Sequence, residues 1–419
     1  MKVAFRILFI FFLSFAVRAQ TTVFVNIDEL LLKGNYQEAL GLLGKQPKTM
    51  LVFDKTAGIY QTMGNYTKAI EFYKKALQID SLTTIKVKLG NAYNLSGLKS
   101  KALLTYEDII KRDSSNLLVL NSLGKIYLSE FQAKRSEKIY RYLKRKDSLN
   151  PFYPFQLAEA LSKQSKFLKM GQSYLDAYKL DTLHLRSIYE LSKFFKKIRD
   201  KDSTNLFIDK GLVIDIKSVN FNLLKVQELY FDKQFESAIE VLNRLDSLHY
   251  KSVTTYEMMG MCYYNLKQYD LAEKEFRKGL SLDYENSSLF YRLASLNYDK
   301  KDLKQAEMYA LMSVFKATPK LDKQYFLLGI ISNDKHDYKK AVKYFDKAFI
   351  NNNNNYKALF QFALASDTYY KDKKKGLTLY QKYIDRFESK NKENTLFAKA
   401  RIKDIRKQLF LKGESLNKE

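Results

Sequence analysis

One interval governs this chain. A small residue in a helical pattern recurs as Ala39, Ala69, Ala102, Ser136, Met170, Thr204, Ala238, Ala272, Ala306, Ala341 and Gly376, with six consecutive steps of 34 residues flanked by steps of 30, 33, 35 and 35. Four residues after each stands a large apolar residue, Ala310 excepted, as in Tyr73, Tyr106, Tyr140, Tyr174, Phe276 and Phe345. Residues four apart share one helical face. The small one lets another helix approach, and the large one fills the space beside it.

A second small series lies twelve residues earlier: Ala57, Gly90, Gly124, Ala158, Ser192, Val226, Gly260, Ala294 and Gly329. Each period therefore holds two helices joined by a short turn, often marked by Gly or by a Lys/Asn/Asp cluster such as Lys300-Lys301-Asp302. A lone helical hairpin cannot bury both its faces, so each needs a neighbour, and the pattern predicts an all-α stack. Composition agrees. Gly (15) and Pro (4) are too few for the turns of a β protein, and 419 residues would be long for one compact core but not for an array.

The stretches Gly64 to Asp80 (GNYTKAIEFYKKALQID) and Tyr269 to Phe276 (YDLAEKEF) resemble the tetratricopeptide repeat, a 34-residue helix–turn–helix with small and aromatic residues at fixed offsets. The resemblance covers about eleven units over residues 20–388, with the usual Trp of the first helix replaced by Phe or Tyr (Phe53, Tyr256, Phe290, Tyr325). It implies an α-solenoid, a right-handed superhelix whose first helices line a concave groove and whose second helices cover the outside. The segment Thr395 to Lys412 is amphipathic through Leu396, Ile402, Ile405 and Leu409 or Phe410, and is expected to form a C-terminal capping helix over 394–412. The run Asn351 to Asn355 reads as an extended surface loop.

Residues 1–19 read as a secretory signal peptide. Lys2 and Arg6 form a basic start, Ile7 to Ala16 an apolar core, and Val17-Arg18-Ala19 a cleavage site before Gln20. The 11-residue apolar run Ile7 to Val17 is short for a membrane span, which needs about 20 residues. The mature chain is expected to be exported, without an integral membrane span, and periplasmic in a Gram-negative source.

The catalytic inventory is thin. The nucleotide-binding patterns GxxxxGK[ST] and GxGxxG are missing, as are HExxH and GxSxG. The single Cys262 permits no internal disulfide, and His184, His249 and His336 have no metal-ligand spacing. Carboxylates read as scattered over solvent-facing positions. The expectation is a non-enzymatic protein without cofactor or metal.

What the resemblance implies is partner binding. Carried over by register, the inner positions of repeats eight to ten include Glu257, Met261, Tyr264, Tyr291, Tyr298, Phe326, Ile330 and Asn333. Aromatic side chains of this kind suit peptide recognition. The inner positions of repeat six, Arg186, Tyr189, Lys193, Lys196 and Lys197, are basic and suit an acidic or carboxylate-bearing segment. Some relatives clamp a terminal carboxylate with Lys and Asn. Asn91 and Asn121 sit near those places, but Phe155 and Glu159 follow where donors are needed, so no such clamp is expected.

The formal net charge is +26, and residues 371–419 alone hold fifteen Lys/Arg against seven Asp/Glu. Nucleic acid is the familiar target of such charge, but export argues against it. Two functions remain: an envelope protein–protein interaction scaffold binding a partner segment in its concave groove, or a basic envelope protein that binds anionic polymer or lipid headgroups.

Overall fold

The computed structural model describes residues 23–317 and 320–412; the expected signal peptide lies outside the described residues. Among the described residues the secondary structure is all helical. The chain divides into two compact units, one up to Lys210 and the other from Gly211.

The first unit pairs α1 (residues 23–32) with α2 (Tyr36–Gly44), α3 (Met50–Thr62) with α4 (Tyr66–Ile79), α5 (Thr83–Leu95) with α6 (Lys99–Arg112), α7 (Leu117–Ser129) with α8 (Ala133–Lys146), and α9 (Phe152–Ser162) with α10 (Phe167–Leu180). It closes with α11 (Leu185–Lys197) and the first part of α12 (Lys201–Ile214). The second unit pairs α13 (Val219–Phe231) with α14 (Phe235–Ser247), α15 (Val253–Asn265) with α16 (Tyr269–Leu282), α17 (Ser287–Asp299) with α18 (Leu303–Lys316), α19 (Asp322–Asp334) with α20 (Tyr338–Asn351), and α21 (Tyr356–Tyr369) with α22 (Lys374–Phe387). Last comes α23 (Lys392–Leu411). Within each unit the hairpins stack in chain order, as in an α-solenoid.

The small series of the first helices meets the large one across the hairpin, as at Gly90, Gly124, Gly260 and Gly329. A Cβ added at Gly260 would lie 2.5 Å from the Phe276 ring, and one at Gly329 would lie 2.5 Å from the Phe345 ring. The aromatic therefore rests on bare backbone of the first helix, which is why the small residue precedes it by sixteen positions. Tyr73, Tyr106, Tyr140 and Tyr174 hold the same place and are fully buried. At the junction between hairpins the contact is reversed: Gly171 receives Phe194, and Gly279 receives Leu289.

The hairpin turns explain the constant period. The first ten carry one residue each in the left-handed region: Gly34, Gly64, Gly97, Phe131, Ser165, Arg199, Lys233, Lys267, Lys301 and His336. In each, the next backbone N–H reaches back to a carbonyl five residues earlier, as in Gln268 to Tyr263 at 2.9 Å and Asp302 to Asn297 at 2.9 Å. This motif closes the first helix at a set length. Side-chain caps then start helices: Asn116 accepts from the Val119 N–H at 3.1 Å, and Ser252 and Thr255 form a reciprocal capping box.

Three expectations are corrected. The asparagine run is a tight link, because the side chains of Asn351, Asn352 and Asn355 bond backbone or a partner. Asn352 accepts from the Asn354 N–H at 3.2 Å and donates to Asp322 at 3.0 Å, while Asn355 caps α21 by accepting from Ala358 at 3.0 Å. The buried face of α23 runs through Thr395, Ala398, Ile402, Ile405 and Leu409: three of the expected positions lie on it, with Leu409 and not Phe410 at its end, but in the first turn Thr395 takes the place expected of Leu396, which points to solvent. Carboxylates are not all at the surface either. Asp367, buried on α21, accepts from Arg401 of α23 at 2.6 Å (Nε) and 3.2 Å (Nη2), with Lys373 beside it at 3.5 Å.

Candidate binding surfaces on the first helices

The residues expected to bind a partner fall into two groups, one on each unit. In the first unit, α11 carries Arg186, Tyr189, Lys193 and Lys197. It is strongly amphipathic because Ile188, Leu191 and Phe194 face the core, leaving the charged residues on the other side. Lys193 pairs with Glu190 at 3.0 Å and lies 5.0 Å from the centre of the Tyr189 ring. Lys197 sits 4.6 Å above the Phe167 ring. Arg186 stands apart from these two, over the Phe155 ring at 4.9 Å. Lys193 and Lys197 border a cleft of about 320 Å³ that also takes in Ser162, Phe167, Glu190 and Phe194. Its chemistry is two ammonium groups over aromatic walls, suited to a carboxylate with an apolar stem.

In the second unit, the first helices α13, α15, α17 and α19 are tied by a repeated link. Asn265 donates to the Tyr230 hydroxyl at 3.2 Å, the Tyr264 hydroxyl donates to Asp299, and the Tyr298 hydroxyl donates to Asp334 at 2.6 Å. Burial, reinforced by Asp334, pushes the Tyr298 phenol up to about 12. Burial and Asp299 likewise push Tyr264 above the ordinary phenol range. Glu257 accepts from Ser288 at 2.8 Å and from Arg292 Nε at 3.1 Å, a further bridge from α15 to α17. A cleft of about 200 Å³ opens here, lined by Tyr230, Met261, Tyr264, Asn265, Tyr291, Arg292 and Ser295, over Phe276.

The structure thus brings Met261, Tyr264 and Tyr291 together, with Glu257 reaching the same place through Arg292. It places Tyr298 on the next link of the ladder. Phe326 and Ile330 lie outside the cleft, packed half-buried with Phe345, whose ring centre is 5.7 Å from that of Phe326. Asn333 is half-buried near the end of α19. Sequence reasoning missed Tyr230, Asn265, Arg292, Asp299 and Asp334. The offset could have found the ladder partners, since each follows its tyrosine by one repeat plus one or two residues.

Asn91 and Asn121 serve packing. Asn91 accepts from the Tyr106 hydroxyl at 2.5 Å, and Asn121 lies against Tyr140. Glu159 accepts from the Tyr174 hydroxyl at 2.6 Å. His184 precedes α11, with Nδ1 2.6 Å from the Ser187 hydroxyl and burial holding its pKa down. His249 and His336 occupy left-handed turn positions. Among the described residues no group of His, Cys, Asp and Glu is arranged to hold a metal ion, and no helix is long and apolar enough to cross a membrane.

The tetratricopeptide repeat family model matches residues 57–81 and 253–286, which cover most of the second hairpin and all of the eighth. A DnaJ protein P58IPK homolog of Arabidopsis thaliana is 28% identical over 183 residues, 43% of this chain and 36% of that protein. A TPR repeat-containing protein of Methanocaldococcus jannaschii is 24% identical over 322 residues, 70% of this chain and 54% of that one. The chain thus spans about a third to a half of the length of these relatives. Among solved structures, yeast Tom70 aligns over 92% of this chain and 95% of its own at 13% identity and a TM-score of 0.44. Pseudomonas aeruginosa pilF aligns over 54% of this chain and 100% of its own at 16% identity and a TM-score of 0.43. Two hairpins match the family model and eight others repeat their left-handed turn at a near-constant period, so the chain carries tetratricopeptide repeats.

Proposed function

We propose that this protein is a non-enzymatic interaction scaffold of the cell envelope, exported by its N-terminal segment, and that the first helices of repeats seven to nine hold a segment of a protein partner. The observation that carries the reading is the cleft of about 200 Å³ among Tyr230, Met261, Tyr264 and Tyr291. It is large enough for one apolar side chain. Tyrosines supply contact area at low entropy cost, and Arg292 gives its Nε to Glu257 and keeps its terminal nitrogens for a partner's acceptor. The cleft beside Lys193 and Lys197 takes an acidic segment independently. A cross-linking pull-down from the native envelope tests the placement. Met261→Ala with Tyr291→Ala should lose the partner, while recovery equal to that of the unaltered protein refutes it. Phe326 is unsuitable for this test, because its ring packs on Phe345.

A second reading rests on the formal charge of +26. In it, the basic surface binds anionic polymer or lipid headgroups. Such binding falls away at moderate salt, whereas capture of an apolar side chain in a cleft persists.

A further inference from the structure

The second helices of the second unit carry a surface that the first-helix clefts do not account for. On α18, Met308 (42% exposed), Leu311 (44%), Met312 (44%) and Phe315 (80%) stand at i, i+3, i+4 and i+7, one continuous apolar stripe in solvent. The packing face of the same helix is complete without them: Ala306, Tyr309, Ala310 and Ser313 are buried. The adjacent helices show what this layer ordinarily presents. At the register of Met308 and Met312, α16 has Lys274 and Lys278 and α20 has Lys343 and Lys347. The apolar stripe is therefore an exception on one helix, bounded on both sides by basic rows. Carboxylates nearby are already engaged, Glu273 with Arg277 and Lys300 and Glu307 with Lys335; Glu275 holds Lys278 at 2.7 Å, so on α16 Lys274 is the lysine left to a partner.

We propose that this stripe docks an acidic amphipathic helix of a protein partner, its apolar face on Met308, Leu311, Met312 and Phe315 and its carboxylates toward Lys274 of α16 and the lysines of α20. Charge decides the occupant. A second copy would set lysine rows against lysine rows, which repel. The flexible thioethers of Met308 and Met312 mould to helical ridges, a known use of methionine at helix-binding surfaces. A lipid surface is the less fitting occupant, since the stripe is one helix wide and three of its four side chains are more than half covered.

The test uses the full-length protein and a fluorescent helical peptide of five turns, about 18 residues, with a leucine stripe flanked by glutamate. Its lysine-flanked counterpart serves as control, and anisotropy gives the affinity. The glutamate peptide should bind, the lysine peptide should not, and Met308→Lys with Met312→Lys should weaken binding about tenfold or more. These substitutions place at α18 what α16 already carries and lie at exposed sites, so helicity by circular dichroism should be unchanged. Failure of the glutamate peptide to outbind the lysine peptide overturns the proposal, as does equal affinity for the double variant. Also overturning would be self-association, or binding to phosphatidylglycerol vesicles, that the double variant abolishes while peptide binding is absent.

Discussion

The Tyr298 hydroxyl donates to the Asp334 carboxylate at 2.6 Å, joining the ends of two successive first helices, α17 and α19. Tyr264 repeats the bond to Asp299 one hairpin earlier. The Tyr298→Phe variant should lower stability by about 0.5–1 kcal/mol, the range of a hydrogen bond whose acceptor remains solvated, read from the urea midpoint. Asp334→Ala should then add little, because the bond is already lost. The phenol is pushed up to about 12, so the neutral form is the one the fold favours. Unfolded tyrosine loses its proton near pH 10. The contribution is therefore whole below that pH and disappears between about 10 and 12 as alkali is added. Tyr73 and Tyr106, raised to about 12 by burial, act in the same sense. Phenolate absorbance should show a late class of tyrosines that appears together with unfolding.

Glycine on the first helix is replaceable only where no ring lies against it. Gly329→Ala sets a Cβ 2.5 Å from the Phe345 ring and should cost about 1–3 kcal/mol. Gly58 has only the Tyr73 hydroxyl, at 4.0 Å, so Gly58→Ala should be neutral or stabilise by up to about 1 kcal/mol through helix propensity. Thermal melts of the two variants should move in opposite directions, or the Gly58 melt should stay still.

The turns contain removable strain. Lys267 has φ of 61°, a left-handed value that costs a side-chain-bearing residue about 1 kcal/mol. Lys267→Gly should recover part of that, about 0.5–1 kcal/mol. The converse substitution Gly64→Val, at φ of 75°, should destabilise by more than 1 kcal/mol, about what a β-branched residue meets there. Equal melting of Lys267→Gly and the parent would show that the turn does not retain its conformation in solution.

Arg401 holds α23 through its two-bond grip on Asp367. In the Asp367→Ala variant the guanidinium loses its acceptor next to the buried Tyr380, at a cost of about 2 kcal/mol, less than for a fully buried pair because Arg401 is partly exposed. Hydrogen exchange in α23 should accelerate before that in α15 to α18. Uniform acceleration would mean that α23 does not open separately.

Cys262 is fully buried, and burial pushes its thiol up to about 12. A thiol held protonated and out of reach is unreactive. Iodoacetamide should leave the native protein unlabelled and label it fully in urea. Rapid native labelling would contradict the packing of α15 on α14.

The second helices were the most legible part of the chain. Tyr140 and Phe276 announce themselves because a ring four residues after a small residue recurs every 34 positions, and both rings lie buried at the place that spacing implies. Phe326 is half-buried against Phe345, a contact the sequence does not show. Its register fits an exposed inner site, but the distance to Phe345 is a matter of how far two helices approach, and periodicity carries no distance.

The sequence by itself determined the hairpin, its length and its need for a neighbour, because these follow from local periodicity, a turn of set geometry and the burial of one helical face. Only the tertiary structure decided which polar residues join across hairpins, such as Tyr298 with Asp334 and Asp367 with Arg401, and which apolar ones stay uncovered, such as Met308 and Phe315. Those relations depend on the rotation and separation of packed helices, and a shift of one residue, as on α23 between Leu396 and Thr395, exchanges solvent for core.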